Sequence, residues 1–490
     1  MLNNKALKIA ICSTGVIFGS IAFQPVSAME NLNNHVFISS IPTNKDIANE
    51  NLLRAMSLVD KTISAYFDPK TFEMRRFYNP FTKEKSEERA SVWMYSAGIE
   101  AVNAILSALK ANKSVADKKV YKSNIEKYEK LLSKFYDKVD YYLGTYELTS
   151  YTQTKTWSVY AVDRVSEKGK AKVTGIYNVY DDQMWLLREL LHSYKLTGNK
   201  DYLKKAEYLT DYVLDGWDTT LDENGNENGG ITWGPGYTTK HACSNGPLIS
   251  SLVWLHTIYQ GKNDQINRSF IDPNDSKTRR IKKESKEQYY LNFAKEIYDW
   301  QQDKLKVKNG LYFDMLGGCD PDCKIQYEEV GNTKYRANTK LTEAVGRFYS
   351  YNSGSMLSGA VDLFLATKDQ KYKTEAIEMA ENSFAYFAKK DKEIPNFYSF
   401  ETDGFNNWFN GILLRGYKEL TSENPEAKSY LNAFQKNLDY GYKNYSIDGF
   451  LPTNLLTGWN PENRAKGVEG MFMFSFAAQY AMLAEYAFTD

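Results

Sequence analysis

Six stretches of the chain begin on a small, polar or aromatic cluster and continue as a helix that is apolar nearly all round. They are YSAGIEAVNAILSALKAN from Tyr95, DDQMWLLRELLHSYKLTGN from Asp181 and SNGPLISSLVWLHTIYQG from Ser244, then YNSGSMLSGAVDLFLATKD from Tyr351, NNWFNGILLRGYKELTSEN from Asn406 and EGMFMFSFAAQYAMLAEYA from Glu469. A helix without a wet face belongs in an interior. Several of the six stop at helix-ending signals such as Leu196-Thr197-Gly198-Asn199 or Gln260-Gly261. Between them lie amphipathic partners, with Tyr202, Ala206, Leu209 and Val213 at helical spacing, then Tyr290, Ala294 and Ile297, then Tyr372, Ala376 and Met379. Six inner helices, each followed by an outer one, predict an all-α fold, an (α/α)6 barrel of six helical hairpins. The repeat is longer than that of common solenoids, which favours closure over an open array.

Strand signals are few: GGITW at Gly229 and GLYFD at Gly310 read as short strands or extended loops. The widest gap between inner helices, from Ser244 to Tyr351, holds the charged run Lys277-Thr278-Arg279-Arg280 and the segment from Asn309 to about Arg347. Both read as insertions at the surface or the cleft rim. Residues 1–28 carry Lys5 and Lys8, a short apolar run and Val26-Ser27-Ala28, the pattern of a secretory signal peptide. Residues 29–48 read as a loose Asn-rich leader, and 49–490 as a single catalytic domain. No second apolar run of spanning length is expected, so the mature protein reads as secreted, without a membrane span, and as a monomer.

Composition changes this picture little. The chain has 490 residues, 42% hydrophobic, with zero formal net charge. No basic block is present, so nucleic acid is not an expected partner. Aromatics reach 14%, and Tyr and Trp offer flat faces on which sugar rings stack. Removal of the signal peptide leaves Cys243, Cys319 and Cys323, an odd number that rules out a full disulfide framework. The CDPDC spacing permits one local bridge in an oxidising compartment, with Cys243 then a free thiol.

The most informative chemical feature is the pair Asp181-Asp182 at the mouth of an inner helix. Taken alone it reads first as helix capping, since Asp accepts free N–H groups and meets the positive end of the helix dipole. Cleavage of a glycosidic bond, however, needs two carboxyl groups, one protonated and one ionised, and neighbouring carboxyls resist ionising together. In a closed ring, the other helix starts would gather around the same end. They bring Trp93, Tyr95, Asn245, Tyr351, Asn352, Asp403 and Trp408, a set suited to a carbohydrate cleft. The acidic run around Asp314, Asp320 and Asp322 reads as a surface loop rather than a cation site.

The blocks YDDQMW, GGITW, KHACSNGP, YNSGSMLSGAVDL and FNGILLR, over roughly residues 90 to 485, resemble glycoside hydrolase family 76. The resemblance implies a secreted (α/α)6-barrel enzyme that cleaves α-1,6-linked mannan within the chain by a retaining mechanism, without cofactor or metal. Carried over, Asp181 is the nucleophile and Asp182 the general acid/base. Trp93, Tyr95, Trp185, Trp233, Asn245, Tyr351, Asn352, Asp403 and Trp408 are the candidate substrate-binding residues. The chain departs from the family pattern at Leu186, at Ser353 and in the length of the CDPDC insertion, which leaves open which mannan is cut and whether from within or from the end. Competing readings are a transglycosylase, a hydrolase of unsaturated uronyl oligosaccharides, a sugar epimerase or a non-catalytic glycan-binding protein. A uronate enzyme wants cations at the cleft, where Lys240 is the leading candidate. An epimerase wants histidines, which are scarce here.

Overall fold

The computed structural model describes residues 43–111, 118–320 and 322–489. The signal peptide expected over 1–28 and most of the leader over 29–48 lie outside these residues. The first helix, α1 (Asn44–Tyr66), starts inside the expected leader: Thr43 caps it, its Oγ1 accepting from the Asp46 N–H at 3.2 Å while the Asp46 carboxylate accepts in return. Such a reciprocal cap fixes a helix start on local chemistry alone.

Six inner helices close a ring: α2 (Val92–Ala111), α4 (Tyr180–Thr197), α6 (Gly246–Tyr259), α8 (Ser350–Thr367), α10 (Asn406–Leu420) and α13 (Gly470–Thr489), with α13 packing back on α2. Outside them lie α3 (Lys118–Val139), α5 (Lys200–Leu214), α7 (Lys286–Lys304), α9 (Gln370–Phe387) and α11 (Lys428–Tyr445). The fold is an (α/α)6 barrel, with one change from the expected order. The outer partner of the last inner helix, α13, is α1, which precedes the first inner helix in the sequence. A short helix, α12 (Pro461–Lys466), leads into α13.

Each turn between partners follows from sequence. Gly198 ends α4 with φ +72°, and Asn199 caps α5 by accepting from the Asp201 N–H at 2.9 Å. The predicted apolar positions of the outer helices, among them Ala206, Ala294 and Ala376, are buried against the inner ring. Helices α8 and α10 meet at glycines: a Cβ on Gly354 would stand 2.7 Å from the Leu413 Cα. Helix α2 overturns the expectation of no second spanning run. It is long and apolar enough to cross a membrane, but it is an inner barrel helix whose most apolar stretch is 83% buried in protein.

The barrel axis holds a buried ionic cluster. Arg188 donates to Glu189 at 2.6 Å and lies 3.8 Å from Glu419, while Arg415 donates to Glu100 at 3.2 Å.

Strands are more numerous than expected. Leu143–Thr149 pairs with Thr154–Tyr160, Gln265–Ile271 with Arg279–Ser285, and Met315–Asp320 with Lys340–Val345, all antiparallel. The last two pairs occupy the wide gap between α6 and α8, so the expected insertions are hairpins. Cys319 and Cys323 form a disulfide within the third, and Cys243 remains a buried thiol.

Candidate active site

The inner-helix starts converge on a cleft of about 390 Å³ at one end of the barrel. Asp181 lines it from the first turn of α4. Tyr180 anchors this turn, its N–H donating to the Trp233 carbonyl at 2.8 Å. The cap residue Val179 has no side-chain acceptor, and the Asp181 carboxylate takes up first-turn chemistry itself, with Oδ1 accepting from the Asp182 N–H at 3.0 Å. Its Oδ2 accepts from Trp233 Nε1 at 3.2 Å. Capping and catalysis are therefore compatible uses of this carboxylate.

The pair differs in environment. Burial pushes the Asp181 carboxyl up to about 6, against the pull of Cys243, Trp233 and backbone N–H groups. Asp182, 6% exposed, is held well above the ordinary carboxyl range by burial, then by the negative charge of Asp181 and that of Asp163. The first proton to leave the pair therefore comes from Asp181, because only that carboxylate has donors aimed at it. Replacing Trp233 by Phe removes one of these donors. A charged hydrogen bond is worth about 1.5–3 kcal/mol, so the acid limb of the activity profile is expected to move up by about one pH unit. A pH profile of kcat/KM against the parent enzyme checks this, and an unmoved limb would exclude Trp233 as a tuner of Asp181.

Aromatic rings wall the cleft. Trp408 stands edge-on to Trp93 at 5.2 Å and to Trp185 at 4.7 Å between ring centres, and its Nε1 donates to Glu100 at 3.2 Å. This bond ties the wall to the ionic cluster on the barrel axis. The wall continues through Phe409, stacked 6.2 Å from Trp93, to Tyr351, which packs on Phe409 at 4.5 Å and whose hydroxyl donates to Asp314 Oδ1 at 3.1 Å.

Of the residues predicted for the site, Asp181, Trp93, Trp185, Trp233, Tyr351, Asp403 and Trp408 line the cleft. Asp182, the next residue on α4, is buried and is not among the lining residues. Tyr95 does not reach it. Two residues on a helix point about 200° apart, so Trp93 in the cleft sends Tyr95 outward. There it packs on Phe135 at 5.1 Å and donates to the Phe135 carbonyl at 2.9 Å. Asn245 is fully buried and acts through backbone. Its Oδ1 accepts from the Ile231 N–H at 2.8 Å, and its Nδ2 donates to the carbonyls of Ile231 at 2.9 Å and His241 at 2.7 Å. It clamps the segment that carries Trp233. Asn352 is buried, and among the described residues its amide has no hydrogen-bond partner. Lys240 turns away, its Nζ held by Asp218 at 2.8 Å and the Gly229 carbonyl at 2.6 Å.

Asp314 is the main residue that sequence reasoning misplaced. It lines the cleft rather than a surface loop, and burial raises its carboxyl against the hydrogen bond from Tyr351. Its signal was GLYFD, a short extended run ending on an acid. Cys243, His241, Arg347, Tyr349 and Phe409 also line the cleft. Among the described residues no group of three or more His, Cys, Asp or Glu side chains is placed to hold a metal ion.

Residues 138–264 and 278–473 match the model of glycosyl hydrolase family 76. The chain belongs to that family. It is a glycoside hydrolase, and every cleft-lining residue of this family 76 enzyme except Trp93 lies within the matched residues. Solved structures share its fold. A family 76 mannosidase from Bacteroides thetaiotaomicron superposes with a TM-score of 0.64 at 22% identity, covering 89% of this chain and 98% of the other. The α-1,6-mannanase of Salegentibacter sp., as an inactive variant in complex with α-1,6-mannotriose, gives 0.55 at 17% identity over 89% of this chain and 99% of the other. An unsaturated glucuronyl hydrolase specific for heparin gives 0.50 at 12% identity, covering 90% and 98%. A search of curated protein sequences found no match.

Proposed function

We propose that this family 76 enzyme hydrolyses α-1,6-mannosidic linkages in mannan with retention of configuration. Asp181 attacks the anomeric carbon and forms a covalent glycosyl-aspartate, while Asp182 gives its proton to the departing oxygen. Asp182 then takes a proton from water, which attacks the same carbon and releases Asp181. The observation that carries this reading is the contrast within the pair. The carboxyl in the cleft is tuned to about 6, and its neighbour is held higher. Retention asks for one ionised and one protonated carboxyl about 5–5.5 Å apart, within reach of adjacent residues on one helical turn.

Two further observations support the substrate. The inactive Salegentibacter mannanase that holds α-1,6-mannotriose has two consecutive aspartates replaced by asparagine. In the present chain, Asp181, Asp314 and Asp403 line the cleft against the single cation Arg347, which Glu401 engages at 2.6 Å. With Lys240 turned inward, this cleft suits a neutral sugar and disfavours a uronate. The Cys319–Cys323 bridge fits secretion into an oxidising compartment.

The test is incubation of the full chain with α-1,6-mannan, following product size and anomeric configuration by NMR. Short oligosaccharides with the α-configuration retained are expected. Initial β-products would overturn the double-displacement mechanism, and untouched mannan would overturn the substrate.

A further inference from the structure

A second cavity, of about 320 Å³, opens on the rim at the same end of the barrel. It lies between the hairpin of residues 143–160, the end of α5, the hairpin of residues 265–285 and α7. The end of α5 is close to the start of α4, with the rings of Tyr212 and Tyr180 5.1 Å apart, which places this cavity at the cleft end. The two cavities share no lining residue.

We infer that this cavity is a second, non-catalytic saccharide-binding pocket. Its floor is polar and incompletely satisfied. Thr219 is 6% exposed, and among the described residues its Oγ1 and the Asp211 Oδ1 have no hydrogen-bond partner. A buried polar atom without a partner costs about 1–3 kcal/mol, which a ligand hydroxyl would recover. Asp215 beside them is half satisfied, its Oδ1 accepting from Ser150 at 2.9 Å and Gln153 at 2.8 Å while among the described residues its Oδ2 has no partner. Aromatic side chains back the walls: Trp157 and Trp217 line the cavity at 1% and 4% exposure, with Lys155 Nζ 3.8 Å over the Trp157 ring. Lys155 and Arg268 share the lining with the two aspartates, so neither sign of charge dominates and a neutral polyhydroxylated ring fits best. The size is at the lower end of ligand pockets, which run from about 300 Å³ upward.

One wall of this pocket lies outside the residues that match the family model. Residues 265–277, which supply Ile266, Asn267, Arg268 and Ser269 to its wall, fall in the interval that the family model leaves unmatched. Lying at the same end as the catalytic cleft, it holds a distal stretch of polymer while the cleft cuts another, and the two-site arrangement raises the effective concentration of the substrate. The choice of a mannose-containing ligand rests on the function proposed above.

The experiment uses the full chain carrying Asp181→Asn and Asp182→Asn, so that ligand survives, titrated with α-1,6-mannotriose by calorimetry. Two binding sites are expected. Adding Asp211→Asn, or separately Asn267→Ala on the exposed strand, is expected to weaken one site at least tenfold and leave the other unchanged. In the catalytically intact background, the same two substitutions are expected to slow hydrolysis of polymer but not of mannotriose. A single site, or two sites indifferent to both substitutions, overturns the pocket while leaving the cleft reading intact. If mannan is not cleaved by the parent, mannose, glucose and galactose are titrated in turn. Binding of any of them that Asn267→Ala abolishes sustains the pocket without the mannanase reading, and binding of none overturns it.

Discussion

The Asp181→Asn enzyme is expected to hydrolyse α-1,6-mannan on the order of 10⁴–10⁶-fold more slowly than the parent, the range seen when a member of a cooperating catalytic set is removed. An amide cannot form the glycosyl ester, so no leaving group rescues it. The Asp182→Asn enzyme behaves differently. In the proposed mechanism Asp182 is the proton donor, so an aryl mannoside whose phenolate leaves unaided is expected still to glycosylate Asp181, and the intermediate to accumulate for want of a base. Azide, a nucleophile that needs no base, is expected to restore turnover in Asp182→Asn and not in Asp181→Asn. Rescue of both or of neither would reverse or dissolve the assigned roles. Stability separates lost chemistry from lost folding. The folded-state value of Asp181, about 6, is above its ordinary 3.8, so whatever this group adds to stability is complete below about pH 4 and is lost as pH rises through 6. The asparagine variant escapes that loss. It is expected to match the parent in thermal stability at pH 4 and to exceed it at pH 8, by up to about 3 kcal/mol for a shift of two units.

The architecture was legible because a helix apolar on every face has one place to go, and six of them in order define a ring. The aspartate pair was legible for a similar reason, since its position on α4 sets its position in the ring. The misplacements share a physical cause. Helix starts were treated as points, although each turn scatters its side chains over all directions. Trp93 therefore enters the cleft while Tyr95 enters the packing between α2 and α3, and Tyr351 enters while Asn352 stays beneath it. Asn245 illustrates another limit. Its type and place suggested a sugar contact, but a buried amide is equally able to satisfy backbone, and here it clamps the strand that aims Trp233 at Asp181. Asp314 escaped because its approach to the cleft depends on the pairing of Met315–Asp320 with Lys340–Val345, a register between segments twenty residues apart. Nothing local in GLYFD encodes that pairing. The closing role of α1 was hidden too, because it joins the two ends of the chain.

The second large effect concerns the ionic cluster on the axis rather than the cleft. Arg188 is 5% exposed and serves Glu189 at 2.6 Å, with its guanidinium 5.0 Å from the ring centre of Trp254. Burial drives the Glu189 carboxyl upward, but His192, Arg188 and Asn103 outweigh it and hold it down at about 2. Replacing Arg188 with Met keeps the volume and removes the charge. Glu189 then keeps only His192 and Asn103 as partners, and Glu419 loses its nearby cation. Breaking one side of a buried pair costs about 3–5 kcal/mol, far more than an exposed ion pair contributes. The chemical-denaturation midpoint of Arg188→Met is therefore expected to fall by that equivalent, and Arg188→Lys, which restores charge but not the planar fork, by less. The pH dependence carries the same signature. A carboxyl held below its ordinary 4.5 supports the fold above that pH and withdraws its support as pH falls towards 2. The parent is expected to lose stability steeply across this interval, and Arg188→Met to start lower and lose less. Because Trp408 reaches the cluster through Glu100 and Arg415, the variant is also expected to raise KM before it alters the configuration of the product. A variant with parental stability and a parental acid limb would show that the cluster is no more than tolerated, and that the aromatic wall of the cleft stands without it.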